Sequence, residues 1–143
     1  MSDGDLRVNT ATDTDVAPAT VRAIVAGHGS FASGIISAVE QITGRGAAFW
    51  AMSNTGLCLD DIQGTLARAL DDTGARVIFT DLPAGSCTMA VRRMIRARPG
   101  VVLVTGINLS LLLDFAMQES VDPVVVVHTA LERARASMAV HGA

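Results

Sequence analysis

Four short apolar runs, each ended by a turn and followed by a segment with helical spacing, constrain this chain more than any other feature. The runs cover residues 21–26, 47–52, 77–80 and 101–105. Between the first two, Phe31, Ile35, Ala38, Val39 and Ile42 recur at helical spacing from Ser30 to about Thr43, and Gly44 stops them. A second helix begins at Asp60 or Asp61, carries Ile62, Leu66, Ala69 and Leu70 on one face, and ends at Gly74. Ser86 reads as the cap of a third helix through Met89, Ala90, Arg93 and Met94, closed by Pro99-Gly100. Asn108 or Ser110 opens a fourth, through Leu111, Leu112, Phe115 and Ala116. Asp122-Pro123 is a cap followed by proline at the first helical position, which predicts a helix from 124 to about 136. The run Val124–Val127 taken alone favours a strand. Met138 to His141 reads as a short final strand.

Strands alternating with helices imply βαβ units and a parallel sheet. Right-handed crossovers narrow this to a doubly wound α/β fold with helices on both faces, and the expected order of its four strands is 2-1-3-4. Half of the 143 residues are hydrophobic but only 3% are aromatic, with no tyrosine, so Val, Leu, Ile, Ala and Met must fill the core. Few stacking aromatics and a net charge of −3 argue against nucleic acid as a ligand. Cys58 and Cys87 have no metal-site spacing and read as reduced thiols. No apolar run approaches the roughly 18 residues that cross a bilayer. Residues 1–20 are polar and acidic, unlike a signal peptide, and read as a flexible leader ahead of a folded unit at 21–143. The expected location is the cytoplasm, without membrane insertion.

Ligands of such sheets bind at the carboxyl ends of the strands, near the switch in strand order. Three loops leave those ends: Gly27-His28-Gly29-Ser30, Asp81 to Ser86, and Gly106-Ile107-Asn108. In the 2-1-3-4 order the first two are neighbours, which sets His28 beside Asp81. A carboxylate that accepts the Nδ1 proton fixes the histidine tautomer and leaves the Nε2 lone pair as a nucleophile. Gly85 and Ser86 open a helix whose amides and positive dipole end suit a phosphate. A nucleophilic imidazole, an orienting carboxylate and an anion cradle together describe phosphoryl transfer through histidine.

Each part also has a plainer use. A lone histidine at a strand end is usually structural, Asp81 can cap the following helix, and Asn108 is more often a cap than a ligand. His128 and His141 read as surface residues, and the cysteines and methionines as fillers. It is the conjunction of the two loops that favours chemistry. Gly27-x-Gly29-x-x-Ala32 matches the dinucleotide fingerprint formally, but the second strand ends in Ser53-Asn54 with no acid for a ribose hydroxyl. No G-x-S-x-G elbow, Walker A motif or metal-ligand cluster occurs, so neither a cofactor nor a metal is expected.

These motifs resemble the IIA domain of the mannose family of the bacterial phosphoenolpyruvate-dependent sugar phosphotransferase system (PTS). The resemblance spans about residues 21–140 and rests on Ala26-Gly-His-Gly-Ser-Phe-Ala-Ser-Gly34, Thr80-Asp-Leu with Gly85-Ser86, and Val104-Thr-Gly-Ile-Asn-Leu109 followed by Leu111-Leu-Leu-Asp-Phe115. It implies that His28 takes phosphate from the phosphocarrier HPr and passes it to a IIB component during sugar uptake. It implies that Asp81 hydrogen-bonds that histidine, and that the amides at Gly85 and Ser86 face the phosphate. It also implies a homodimer that exchanges a C-terminal strand, here the tail near Met138–His141. The wording of residues 31–34 leans toward the N-acetylgalactosamine-type branch. The family loop after the aspartate commonly carries two glycines before Ser/Thr-Pro, whereas Leu82-Pro-Ala-Gly-Ser-Cys87 stands here, which alters partner fit rather than the transfer step. Two related roles share the features: the phosphotransfer subunit of a PTS-dependent dihydroxyacetone kinase, and a non-catalytic regulatory module.

Overall fold

Parallel pairing of the four apolar runs builds the sheet in the computed structural model, which describes residues 20–143. The leader assigned to residues 1–20 lies, apart from Thr20, outside the described residues. The strands are β1 (Ala23–Gly27), β2 (Phe49–Ser53), β3 (Val77–Thr80) and β4 (Val102–Val104). They stand in the expected order β2-β1-β3-β4, all parallel. The helices are α1 (Phe31–Thr43), α2 (Leu59–Thr73), α3 (Ser86–Met94), α4 (Leu109–Met117) and α5 (Pro123–Ser137).

Alternation along the strands sends side chains to two apolar layers. Ala23, Val25, Phe49, Val77 and Phe79 pack against α1, α4 and α5. Ile24, Ala26, Met52 and Ile78 pack against α2 and α3. The first layer centres on Phe49, Phe79 and Phe115, with ring centroids 5.2 Å apart for the edge-on Phe79–Phe115 pair and 5.8 Å for Phe49–Phe115. Such pairs contribute about 0.5–1.5 kcal/mol each beyond their burial. Arg22, just ahead of β1, ties this layer to the end of α4: its guanidinium donates to the carbonyls of Phe115, Gln118 and Val121 at 3.0–3.1 Å and lies over the Phe115 ring.

Several boundaries differ from the sequence expectation, each for a local reason. β2 starts at Phe49 rather than residue 47, because Gly46–Ala48 form a short 3-10 turn. That turn is held by the Gly46 N–H on the Glu40 carboxylate at 2.9 Å. The third helix stops at Met94 and tightens into a 3-10 turn over Ile95–Ala97, ahead of the predicted Pro99. Ser86 is its first helical residue rather than its cap, a position taken by Gly85. The valines 124–127 are helical: the Asp122 carboxylate accepts the Val124 N–H at 2.9 Å, and Val126 and Val127 are buried. Capping and burial outweigh their strand propensity. Met138 and the residues after it leave α5 without joining the sheet of their own chain.

Candidate functional site at the strand termini

β1 and β3 are neighbours with Ala26 opposite Thr80, so the loops that follow them leave the sheet side by side. The first presents His28 and the second Asp81. The Asp81 Oδ2 atom accepts two hydrogen bonds from one residue: the His28 backbone N–H at 2.8 Å and the His28 ring Nδ1 at 2.7 Å. The Asp81 side chain is 9% exposed and the His28 side chain 52%. Burial alone would push the Asp81 carboxyl up, but the His28 backbone and ring hydrogen bonds hold it below the usual carboxylate range. Asp81 is thus a carboxylate at neutral pH. An acceptor at Nδ1 places the ring proton there, so the Nε2 lone pair is free at the exposed edge.

Gly27 is what allows this approach. A Cβ at that position would lie 2.9 Å from Phe31 Cδ2 and 3.0 Å from Asp81 Oδ2. A methyl group there must move the ring or the carboxylate. Gly27→Ala is therefore expected to lose about 1–3 kcal/mol of stability, read from urea unfolding. A variant as stable as the parent would mean that the contact yields without strain.

The loop carrying Asp81 is fixed from beneath by two buried threonines. Thr88 Oγ1 donates to the Leu82 carbonyl at 2.6 Å and lies 2.8 Å from Thr80 Oγ1. Its single proton is spent on Leu82, so Thr80 donates to Thr88. Both residues are at most 1% exposed. Sequence reasoning missed them. Their only trace there is a polar residue at the end of an apolar strand and another eight positions later.

Gly85 closes the loop against the histidine, with φ +122. A Cβ added there would be strained by the backbone conformation and would sit 3.5 Å from His28 Cε1. The first helical hydrogen bond of α3 runs from the Met89 N–H to the Gly85 carbonyl at 2.9 Å, so the amides of Ser86, Cys87 and Thr88 precede it. Gly85, which caps the positive end of α3, lies beside the His28 ring, and a helix N-terminus with open amides suits an anion. Pro83, in the part of the loop that departs from the family pattern, packs near Gly106 of the third loop.

Asn54 also reaches this site, although the sequence drew attention to it only as a missing acid. Its side-chain amide donates to Ser86 Oγ at 2.7 Å. Asn108 is a cap: its side chain accepts the Leu111 N–H at 3.0 Å and donates to the Ala134 carbonyl. The Cys87 thiol is pushed up to about 11 by burial and by the Asp81 charge, so it stays protonated. His128 and His141 are exposed on α5 and on the tail after it. Among the described residues no three His, Cys, Asp or Glu side chains are grouped to hold a metal ion, and no helix is long and apolar enough to cross a membrane.

A family model described as "PTS system fructose IIA component" matches residues 22–131. Solved structures show the same fold. A mannose/sorbose-specific IIA subunit from Enterococcus faecalis superposes with a TM-score of 0.73 at 17% identity, over 87% of this chain and 97% of that one. A Klebsiella pneumoniae protein assigned as a phosphoenolpyruvate-dependent sugar phosphotransferase system permease gives 0.73 at 25% identity, over 87% and 93%. The IIA protein associated with the fucose utilization operon of Streptococcus pneumoniae gives 0.72 at 22%, over 87% and 96%. A comparison with curated protein sequences gave no match.

Proposed function

The chain belongs to the mannose/fructose-type IIA family of the sugar phosphotransferase system, and on that premise we propose that His28 is its phosphoryl carrier. The observation that carries this reading is the 2.7 Å contact between His28 Nδ1 and the Asp81 carboxylate. It supports Nε2 as the nucleophile. The Nε2 lone pair attacks the phosphorus held by HPr, an N–P bond forms, and the bond from phosphorus to HPr breaks. The Nδ1 proton stays on the ring, and Asp81 stabilises the positive charge that develops there. The amides at Gly85 and Ser86 receive the phosphoryl oxygens. The same steps in reverse, with a IIB component as acceptor, discharge the group during sugar uptake.

An open rim suits this task, because donor and acceptor are both proteins and must each bring phosphorus to the same nitrogen. The exposed Leu82 and Met89, on the loop and helix that follow Asp81, are apolar surface within reach of such partners. The transfer takes place in the cytoplasm, with residues 21–143 as the folded unit and no cofactor. Mixing the purified chain with phosphoenolpyruvate, enzyme I and HPr should give one acid-labile phosphoryl group per chain. Absence of incorporation with active HPr would contradict the reading.

The proposed partner in assembly is a second copy. β4 pairs only with β3, which leaves its other edge without a strand among the described residues. Met138 and Val140 in the tail are 78% and 94% exposed. Exchange of that tail between two subunits would cover both. Light scattering should report twice the 14.8 kDa chain mass, and a single-chain mass would contradict the exchange.

A further inference from the structure

Asn54 is held on the site side of the sheet by its own backbone. Its N–H donates to the Gly27 carbonyl at 3.0 Å, one residue before His28, and its carbonyl accepts the Leu57 N–H at 3.1 Å. From that anchored turn its side-chain amide spans 32 positions of sequence to donate to Ser86 Oγ at 2.7 Å, in a half-buried contact. Ser86 directly follows Gly85, the residue whose Cα faces the His28 ring. A serine hydroxyl carries one proton and two lone pairs. Asn54 engages a lone pair, and the proton has no acceptor among the described residues.

We infer that Asn54 is a positioning residue for phosphoryl transfer. It engages Ser86 Oγ as an acceptor, so that the Ser86 O–H is presented as a donor to the phosphoryl group on His28. This rests on the phosphohistidine reading above and extends it from the backbone amides of the cradle to a side chain and its orienter. The plainer role, a brace between the β2 turn and α3, would need only that the two side chains stay bonded, in either direction.

The two roles separate on the polarity of the bond. Asn54→Ala removes the orienter, whereas Asn54→Asp keeps the shape and reverses the hydrogen bond. The carboxylate then takes the Ser86 proton for itself and sets a negative charge beside the incoming phosphoryl group. Single-turnover transfer from phosphorylated HPr is the assay, with thermal unfolding measured alongside. Asn54→Ala is expected to slow transfer about 5-fold, the scale of one lost oriented hydrogen bond. Asn54→Asp is expected to slow it by at least about 50-fold, from the lost donor and the added charge. In a Ser86→Ala background, Asn54→Ala should cost less than about 2-fold, because the pair is already broken. Asn54→Asp as fast as the parent or faster than Asn54→Ala overturns the inference, and so does an undiminished Asn54→Ala effect without the Ser86 hydroxyl. A parent protein that accepts no phosphoryl group overturns the phosphohistidine reading and this inference with it. A labelled parent with the wrong order of variants overturns this inference alone.

Discussion

The His28→Ala protein is expected to accept no phosphoryl group from HPr, with incorporation at least about 1,000-fold below the parent, since a covalent carrier has no substitute for its nucleophile. Two features make the experiment clean. The His28 side chain is half exposed and fills no core, so its removal leaves both apolar layers intact. Asp81 keeps the His28 backbone N–H at 2.8 Å as a partner, so the carboxylate is not stranded. The expected loss of stability is about 1 kcal/mol, one ring hydrogen bond. Undiminished incorporation in a folded His28→Ala protein would remove His28 from the mechanism.

The second large effect belongs to Asp81→Asn. The asparagine fits the same space but is neutral, and its NH₂ can turn toward Nδ1. That would move the ring proton to Nε2 and occupy the nucleophilic lone pair. Loss of the orienting carboxylate should slow transfer by about 100-fold, in line with other groups that fix a histidine tautomer. The carboxyl is held below its ordinary value, so its stabilising effect is present above its unfolded pKa of about 3.9 and disappears as pH falls through the lower folded value. The contribution of the Asp81 carboxylate to the stability gap between the parent and Asp81→Asn should therefore shrink as the buffer is made more acidic than the unfolded carboxyl pKa. Equal losses of stability and transfer rate would make Asp81 a structural residue only.

Much of this was legible in the sequence because it is carried by local pattern. The apolar runs and the glycines at 44 and 74 marked the alternation of strands and helices, and chirality then restricted their order. The rim position of His28 and its neighbour Asp81 followed from that order. What stayed hidden depends on contacts between distant residues. Ser86 stood out only for its backbone amide and Asn54 not at all in its own turn. Only the meeting of the turn after β2 with the start of α3 joins their side chains. Thr80 and Thr88 read as ordinary until the loop folds over them. The need for glycine at position 27 arises from Phe31 and Asp81 together, one near in sequence and one far. The start of β2 was misplaced because Glu40, on the preceding helix, captures the Gly46 amide and delays the strand.

The Pro83-Ala84 segment, in which Ala84 stands where the family commonly has the first of two glycines, leaves the His28–Asp81 contact intact, with Pro83 near Gly106. Its effect is thus expected in the fit of protein partners. The geometry around His28 is set one layer deeper, by Gly27, Asp81 and the threonine pair.

The most direct measurement is tandem mass spectrometry of the chain after phosphorylation by phosphoenolpyruvate, enzyme I and HPr, with digestion kept near neutral pH. The chain has three histidines, His28, His128 and His141, so the site can be assigned without ambiguity. A single phosphoryl group on the peptide containing His28 is the predicted result. Phosphate on the His128 or His141 peptide, or on none of the three, would contradict it.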